Sequence, residues 1–299
     1  MRTFNLFTIV LMVLWVGSVF GENSENIRFV ILNSEGKEVS LSDVAKYCQT
    51  ADVIFFGEKH DNAIAHKLEQ KFLAIFSKNS KKLAIAMEMF EADNQDGLDK
   101  YLAGKIDEKQ FEKEVRLWDN YKTDYRPIIE FAKSRKIPVL ASNIPRRYAS
   151  MVAKGGIAAW DSVSESERKY LPRKYHFLKD DYRKNFFATM TGNPMMKYMG
   201  EDKLENIYDA QCVKDEKMAE SIADFLKSYE GYKIISFNGS FHSDYKLGIP
   251  QKLSMRMPKL KIANISTVVI PNDIELKAEN LKGELSRADF VIFVGENTK

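Results

Sequence analysis

The sequence contains little cysteine. Among its 299 residues only Cys48 and Cys212 carry thiols, and neither belongs to a CxxC pair. Two cysteines are too few for a disulfide framework, and a thiolate metal site is not expected. A single disulfide between the two is one alternative, but we expect two separately buried thiols.

A surplus of either charge is also absent. Lys and Arg total 45 against 42 Asp and Glu, which gives a net charge of +3. Because no basic stripe is interleaved with aromatic residues, we predict no nucleic-acid partner.

Internal repeats, low-complexity stretches and linkers rich in Ser, Gly and Pro are missing too. We therefore predict one domain over residues 27–299, and the 44% hydrophobic fraction is sufficient for a large core.

The N-terminal segment carries an apolar run that is short for a membrane span. Residues 4–16 (FNLFTIVLMVLWV) follow Arg2 and precede the small residues of GSVFG. This order is typical of a signal peptide, so we predict one over residues 1–21, with an uncleaved anchor as the alternative. The mature protein is then expected in the periplasm or at the cell surface. No cysteine follows the run, which excludes lipid attachment of the bacterial lipoprotein kind.

The rest of the sequence alternates strand-like and helix-like segments. Continuous apolar runs of strand length indicate strands that are buried on both faces. The fold class that this predicts is α/β, a mostly parallel central sheet flanked by helices. A β-hairpin over residues 28–40 precedes the sheet, and helical or loop-like sequence at about residues 145–228 predicts a helical cap insertion. The buried strands are expected in DVIFFGE, KLAIAMEMF, IPVLASN, YKIISFNG, KIANISTVVI and ADFVIFVG.

Polar groups follow the predicted strands where a ligand site of an α/β sheet is expected. Two of the four histidines stand in Gly-x-x-His pairs, Gly57 with His60 and Gly239 with His242. Two imidazoles and a carboxylate would bind a divalent metal and leave a position open. The carboxylate would be Glu58 or Glu88, and the other Glu would act as general base toward a bound water. Further polar residues at these strand ends are Asp61, Glu91, Asn143, Asn238 and Asp244, and His66 is a candidate support behind the ligands.

This chemistry predicts a metal-dependent hydrolase, for example one acting on peptides. Its metal ligands would come from His60, His242, Glu58 and Glu88, and its catalytic residues from Glu58 and Glu88. A second interpretation comes from family likeness.

Five blocks of the sequence are similar, in order, to those of the ChaN-type haem-binding proteins, which belong to a Tiki-like superfamily. The resemblance covers roughly residues 27–270. One difference is that many relatives are lipoproteins, whereas this chain lacks the cysteine that they need. The blocks are FFGEKHDNAIAH, MEMF followed by Gln95, RPIIEFAKSRKIPVLASNIPRR, AQCVKDEKMA and NGSFHSDYKLGIPQKL.

The resemblance implies a protein that binds haem and serves haem or iron acquisition. It also implies a tyrosine ligand to the iron, a possible homodimer around paired haems, and possible partners among outer-membrane or cell-surface uptake components. No motif selects the tyrosine, so we take Tyr148, Tyr182 and Tyr198 as haem-contacting candidates and Arg146 as a propionate ligand. Apolar contact is expected from Met195, Met196 and Met199. We prefer haem binding as the function and keep the hydrolase as the alternative.

Overall fold

Seven strands form one sheet in the computed structural model, which describes residues 28–192 and 200–297. The predicted signal peptide and the candidates Tyr198, Met195, Met196 and Met199 lie outside these ranges. The strands are β1 (Phe29–Asn33), β2 (Val53–Glu58), β3 (Leu83–Glu91), β4 (Val139–Asn143), β5 (Lys233–Gly239), β6 (Ile262–Ile270) and β7 (Phe290–Gly295).

The sheet order is β1-β7-β6-β2-β5-β3-β4, and every neighbouring pair is parallel except β1 with β7. This confirms the predicted α/β class. β2 lies in the middle of the sheet, between β5 and β6, and all of its residues are buried. Burial on both faces explains why its sequence is a continuous apolar run.

The predicted first hairpin is only partly present. Its return strand is reduced to one bridge between Leu32 and Glu38, and β1 pairs over its whole length with β7. Pairing with a strand at the far end of the chain cannot be recognised from a local turn signal.

Helices cover both faces of the sheet and build the cap. Asn62 caps the helix that follows β2 by accepting a hydrogen bond from the backbone N–H of Ala65 at 2.9 Å. The helices are α1 (Leu41–Cys48), α2 (Ala63–Ser77), α3 (Gln95–Leu102), α4 (Glu108–Glu114), α5 (Arg126–Arg135), α6 (Arg146–Gly155), α7 (Asp181–Thr191), α8 (Glu201–Ser228), α9 (Ile249–Arg256) and α10 (Ala278–Leu281).

Successive side chains of β2 enter different cores, as the pleat of a strand requires. Phe56 packs with Phe72 of α2 in one core, and Phe55 belongs to the other core, which also contains Ile222 of α8. By the same alternation, Glu58 at the end of β2 points toward α2. In β3, Met87 belongs to the α2 core, so Glu88 points toward α8. The buried carboxylates of Glu58 and Glu88 therefore lie on opposite faces of the sheet.

The cap contains α6, α7 and the first half of α8. Tyr148, Val152 and Trp160 form its small core together with Val213 of α8. Further along, α8 passes onto the sheet, where Met218 and Ile222 join the second core. One long helix thus connects the cap to the sheet.

Both cysteines are buried and free, which confirms the expectation of two separate thiols. Burial raises the pKa of the Cys48 thiol to about 12, so this sulfur is unreactive at neutral pH. Across residues 28–192 and 200–297, every helix is too short or too polar to span a bilayer.

Gly57→Ala tests the close packing at the end of β2. A Cβ at Gly57 would lie 2.8 Å from the Cα of Ser240, a backbone atom that cannot move away cheaply. We expect the variant to lose about 1–3 kcal/mol of unfolding free energy, the usual cost of overpacking. Urea denaturation measures the loss. Gly283→Ala is the control, because its added Cβ would meet no atom within 4 Å, and an equal loss in both variants would contradict the packing argument.

Candidate functional site

Two adjoining clefts open at the carboxyl ends of the central strands. The larger has a volume of about 950 Å³, and its lining includes His60, Glu88 and His242. The smaller, of about 650 Å³, shares His60 and His242 with it and also includes Glu58. The four residues that the sequence suggested as metal ligands therefore lie around one composite cavity, although they are far apart in the chain.

His242 is held between two buried carboxylates. Its Nδ1 lies 2.5 Å from Oδ1 of Asp215, and its Nε2 lies 3.2 Å from Oε1 of Glu88. Burial alone would lower the pKa of His242, but the charges of Glu88 and Asp215 outweigh it and raise the pKa to about 10. The imidazole is therefore a cation that donates from both nitrogens.

The predicted metal centre of His60, His242, Glu58 and Glu88 stays a prediction, and the geometry around His242 bears on it. An imidazole binds a metal through a free lone pair, and both nitrogens of His242 face carboxylates. In the described part of the chain, the predicted set of His60, His242, Glu58 and Glu88 does not form a close group of ligand atoms. The sequence predicted that these strand ends lie together but could not reveal that Asp215 faces His242.

The two carboxylates beside His242 have further donors. The backbone N–H of Gly239 donates to Oε2 of Glu88 at 2.7 Å, and the Tyr182 hydroxyl donates to Oδ2 of Asp215 at 2.6 Å. Burial would raise the pKa of Glu88, but the charges of His242 and His60 hold that pKa well below its usual range. Glu88 is therefore ionised at neutral pH and unavailable as a proton donor.

His60 is oriented by Glu58. Its Nδ1 lies 2.6 Å from Oε1 of Glu58, an oxygen that also accepts from the Tyr125 hydroxyl at 2.7 Å. The His60 side chain is 41% exposed, so its ring reaches the cleft. Burial lowers the pKa of His60, but the hydrogen bond to Glu58 and the charges of Glu88 and Glu58 raise it above the usual value. A histidine backed by a carboxylate in this way can bind a ligand or exchange a proton.

Gly239 allows His60 to occupy this position. A Cβ added at Gly239 would lie 2.7 Å from Nε2 of His60. The second Gly-x-x-His pair therefore supplies His242 as a charged group and, through its glycine, the space for the histidine of the first pair.

A third group of titratable residues lies behind the cleft, on the α2 side of the sheet. His66 and Glu69 come from α2 and approach Glu58, with His66 Nδ1 2.9 Å from Glu69 Oε2 and 3.6 Å from Glu58 Oε2. All three side chains are buried. His66 thus lies behind Glu58, where the sequence suggested a support.

The first two residues of α6 have different surroundings. Arg146 is exposed and lines the larger cleft. Arg147 forms ion pairs with Asp93 and Glu167, at 2.5 and 2.6 Å. Only Arg146 is thus positioned to contact a ligand of the cleft.

Two of the predicted haem-contacting tyrosines are engaged elsewhere. The Tyr182 hydroxyl donates to Asp215, and the Tyr148 hydroxyl donates to Glu167. Burial raises the pKa of both phenols, and their carboxylate partners raise it further. Neither oxygen faces the clefts as a phenolate.

Sequence reasoning missed the polar face of α8. Gln211, Lys214 and Asp215 are spaced i, i+3 and i+4, which places them on one side of a helix. Gln211 and Lys214 line the larger cleft, and Asp215 holds His242. The spacing was a usable signal, although it does not reveal which strand end the face meets.

Taken together, the fold and the site define an α/β protein with a helical cap and a ligand cleft at the strand ends. A sequence model described as haem-binding uptake, Tiki superfamily, ChaN matches residues 44–253. The chain belongs to this ChaN-type family, as its five sequence blocks predicted.

Individual relatives are more distant. Over 89% of this chain and 96% of the other, the fold is similar to a structure described as cofacial haem binding to ChaN of Campylobacter jejuni, with a TM-score of 0.63 and 20% identity. A succinoglycan biosynthesis protein has a TM-score of 0.51 and 11% identity, with 85% and 90% of the two chains covered. At these identities the structures show the fold alone.

One curated protein is similar in sequence. Protein RETICULATA-RELATED 5, chloroplastic, of Arabidopsis thaliana is 22% identical over 255 residues. The match covers 81% of this chain but 34% of that protein, so the chain spans about a third of its length.

The two carboxylates that hold His242, Glu88 and Asp215, predict a pH dependence of the unfolding free energy; we call this arrangement the clamp. The pKa of His242 is about 10 in the folded state against 6.5 for an ordinary histidine. The ion pairs of His242 therefore stabilise the folded state fully below pH 6.5, and this stabilisation is lost as the pH rises through about 10. Asp215→Asn should lower the folded-state pKa of His242 and reduce this loss. NMR titration of the histidine rings measures the pKa, and urea denaturation at pH 6 and pH 10 measures the stability.

Asp209→Asn is the matched control, since Asp209 is a half-buried carboxylate on the same helix, six residues before Asp215. It should leave the pKa of His242 unchanged. A His242 that titrates near 6.5 in the unmodified protein would contradict the clamp.

Proposed function

We propose that this chain binds haem in the two adjoining clefts and serves haem or iron acquisition. The observation that carries the proposal is the distribution of side chains around the composite cavity. Phe186, Met190 and Phe241 line the smaller cleft, while Arg146 and Lys214 line the larger. Haem has the same division, an apolar porphyrin with two carboxylates on one edge.

The two cations are available to a ligand. Within the described residues, Arg146 and Lys214 form no ion pair, whereas the neighbouring Arg147 has two carboxylate partners. A guanidinium binds a carboxylate with two parallel hydrogen bonds, and an ammonium binds it as a point charge. Arg146 and Lys214 would thus hold the propionates, and the aromatic and Met side chains would contact the ring.

The size of the cavity supports a ligand of this class. Pockets for ligands of drug size measure roughly 300–1,000 Å³, and each of the two clefts falls within that range. Membership in the ChaN-type family and the haem complex of the Campylobacter jejuni protein also support haem.

The iron ligand in this proposal is Tyr198. Of the three predicted tyrosines, Tyr148 and Tyr182 are bonded to carboxylates that raise the pKa of their phenols. A phenolate ligand to ferric haem needs an oxygen that can lose its proton. Tyr198 lies outside the described residues and stays a prediction.

The acquisition role includes export and assembly. The apolar run at residues 4–16 after Arg2 supports export to the periplasm or the cell surface. Cofacial binding, as described for the Campylobacter jejuni protein, needs two stacked haems, so the proposal includes a homodimer. Uptake components of the outer membrane or cell surface are the partners that this role would require.

Arg146→Ala should weaken haem binding about five- to tenfold. Because Arg146 is exposed, its contact is taken at about 1–1.4 kcal/mol, the range of an ordinary net hydrogen bond, and 1.4 kcal/mol is a factor of ten. Titration with hemin, followed by the Soret band, measures the dissociation constant. Lys154→Ala, in the last turn of the same helix, should bind hemin as the unmodified protein does. Equal affinity of all three proteins, or titration without saturation, would overturn the proposed site.

Substitution of the tyrosines tests the iron ligand separately. Tyr198→Phe should remove the absorption bands of tyrosinate-bound ferric haem, because the phenolate oxygen is gone. Tyr148→Phe and Tyr182→Phe should keep those bands, since both hydroxyls serve carboxylates. Visible spectra of the three hemin complexes measure these bands. Loss of the bands in Tyr182→Phe alone would show that Tyr182 leaves Asp215 and binds the iron, which contradicts the assignment to Tyr198.

A further inference from the structure

We propose that Glu58, His66 and Glu69 bind a divalent metal ion behind the haem cleft. One of the three side chains comes from the end of β2 and two come from α2. Their nearest nitrogen and oxygen atoms all lie within 4.8 Å of one another. Within the described ranges this is the one group of at least three His, Cys, Asp or Glu side chains with such close ligand atoms.

The hydrogen bonds of His66 fix which nitrogen faces the carboxylates. Its Nε2 lies 3.1 Å from the carbonyl oxygen of His60, which can only accept, so Nε2 carries a proton. The other nitrogen, Nδ1, faces Oε2 of Glu69 at 2.9 Å and Oε2 of Glu58 at 3.6 Å. A lone pair cannot lie this close to carboxylate oxygens without a cation between them, and that cation is either a proton or a metal ion.

Unpartnered oxygens favour the metal ion. Glu58 Oε2 and Glu69 Oε1 are buried and have no hydrogen-bond partner, although their residues are at most 1% exposed. A proton on Nδ1 alone would leave both buried oxygens unsatisfied, which is costly, so the arrangement that competes with a metal ion is a proton shared between the two carboxyl groups. A metal ion among the three residues would coordinate an oxygen of each carboxylate together with Nδ1.

Glu58 is already oriented for this role. Its Oε1 accepts hydrogen bonds from Tyr125 and His60, which leaves Oε2 directed at His66 and Glu69. His66 and Glu69 are spaced i and i+3 and therefore share one face of α2. Partners that hold a ligand from behind in this way are typical of metal sites.

The ligand set indicates the class of metal. Two carboxylates and one imidazole suit zinc, manganese or ferrous iron better than calcium, which prefers oxygen alone. The carboxylate of Asp124, 3.7 Å from His66 Nε2, adds negative charge on the far side of the ring. A divalent cation would neutralise Glu58 and Glu69, and it would fix Glu58, which orients His60 in the cleft.

Metal analysis of the purified, haem-free chain tests the proposal. After dialysis against EDTA, the chain is incubated with Zn²⁺ or Mn²⁺, and bound metal and melting temperature are measured. We expect one ion per chain and a higher melting temperature in the unmodified protein. Glu69→Gln keeps the side-chain shape but removes a ligand charge, and it should lose the ion and the metal-dependent rise in melting temperature.

Controls separate this site from other metal and haem sites. His176→Asn removes a histidine of the cap whose side chain is 42% exposed, and it should bind the ion as before. Glu69→Gln should still bind hemin, so failure of the metal site and failure of the haem site give different results. If the unmodified chain binds neither ion, or if Glu69→Gln binds as tightly as the unmodified chain, the three residues share a proton and the proposal is wrong.

Discussion

The His242 imidazolium connects β3, β5 and α8, the three elements that meet at the site. It follows β5 in the chain, it is bonded to Glu88 of β3, and it is bonded to Asp215 of α8. The same helix carries the cap at its first half and packs on the sheet at its second. One buried cation and two carboxylates therefore join α8, the helix that carries the cap, to the strand ends that line both clefts.

Alternation along the central strands divides the polar groups between the two faces of the sheet. Glu58 points toward α2 and meets His66 and Glu69, whereas Glu88 points toward α8 and meets His242. The two groups would repel as one cluster of carboxylates if they shared a face. His60 links them, since Glu58 orients its ring and Gly239 of the other group gives it room.

How far sequence predicts this structure depends on whether the determinants are local. The buried strands are predictable because burial on both faces demands continuous apolar runs, and the Asn62 cap is predictable because capping is local. Strand ends carrying Glu58, His60, Glu88 and His242 were expected at one edge, because parallel strands end together. The partners were not predictable, since Asp215 reaches His242 from 27 residues away.

Desolvation argues that the buried charges have a functional origin. Burying an ion pair costs several kcal/mol per ion, and well-packed apolar residues are often as stabilising as the pair they replace. A core selected for stability alone would not need His242 with Glu88 and Asp215 beside the α8 face. The same reasoning applies to Glu58 and Glu69, two buried carboxyl groups that face each other and His66. Perturbed groups of this kind gather where a protein binds or reacts, and here they lie around and directly behind one composite cavity. The buried polar groups at the strand ends are therefore best explained by the binding of a ligand in the composite cavity.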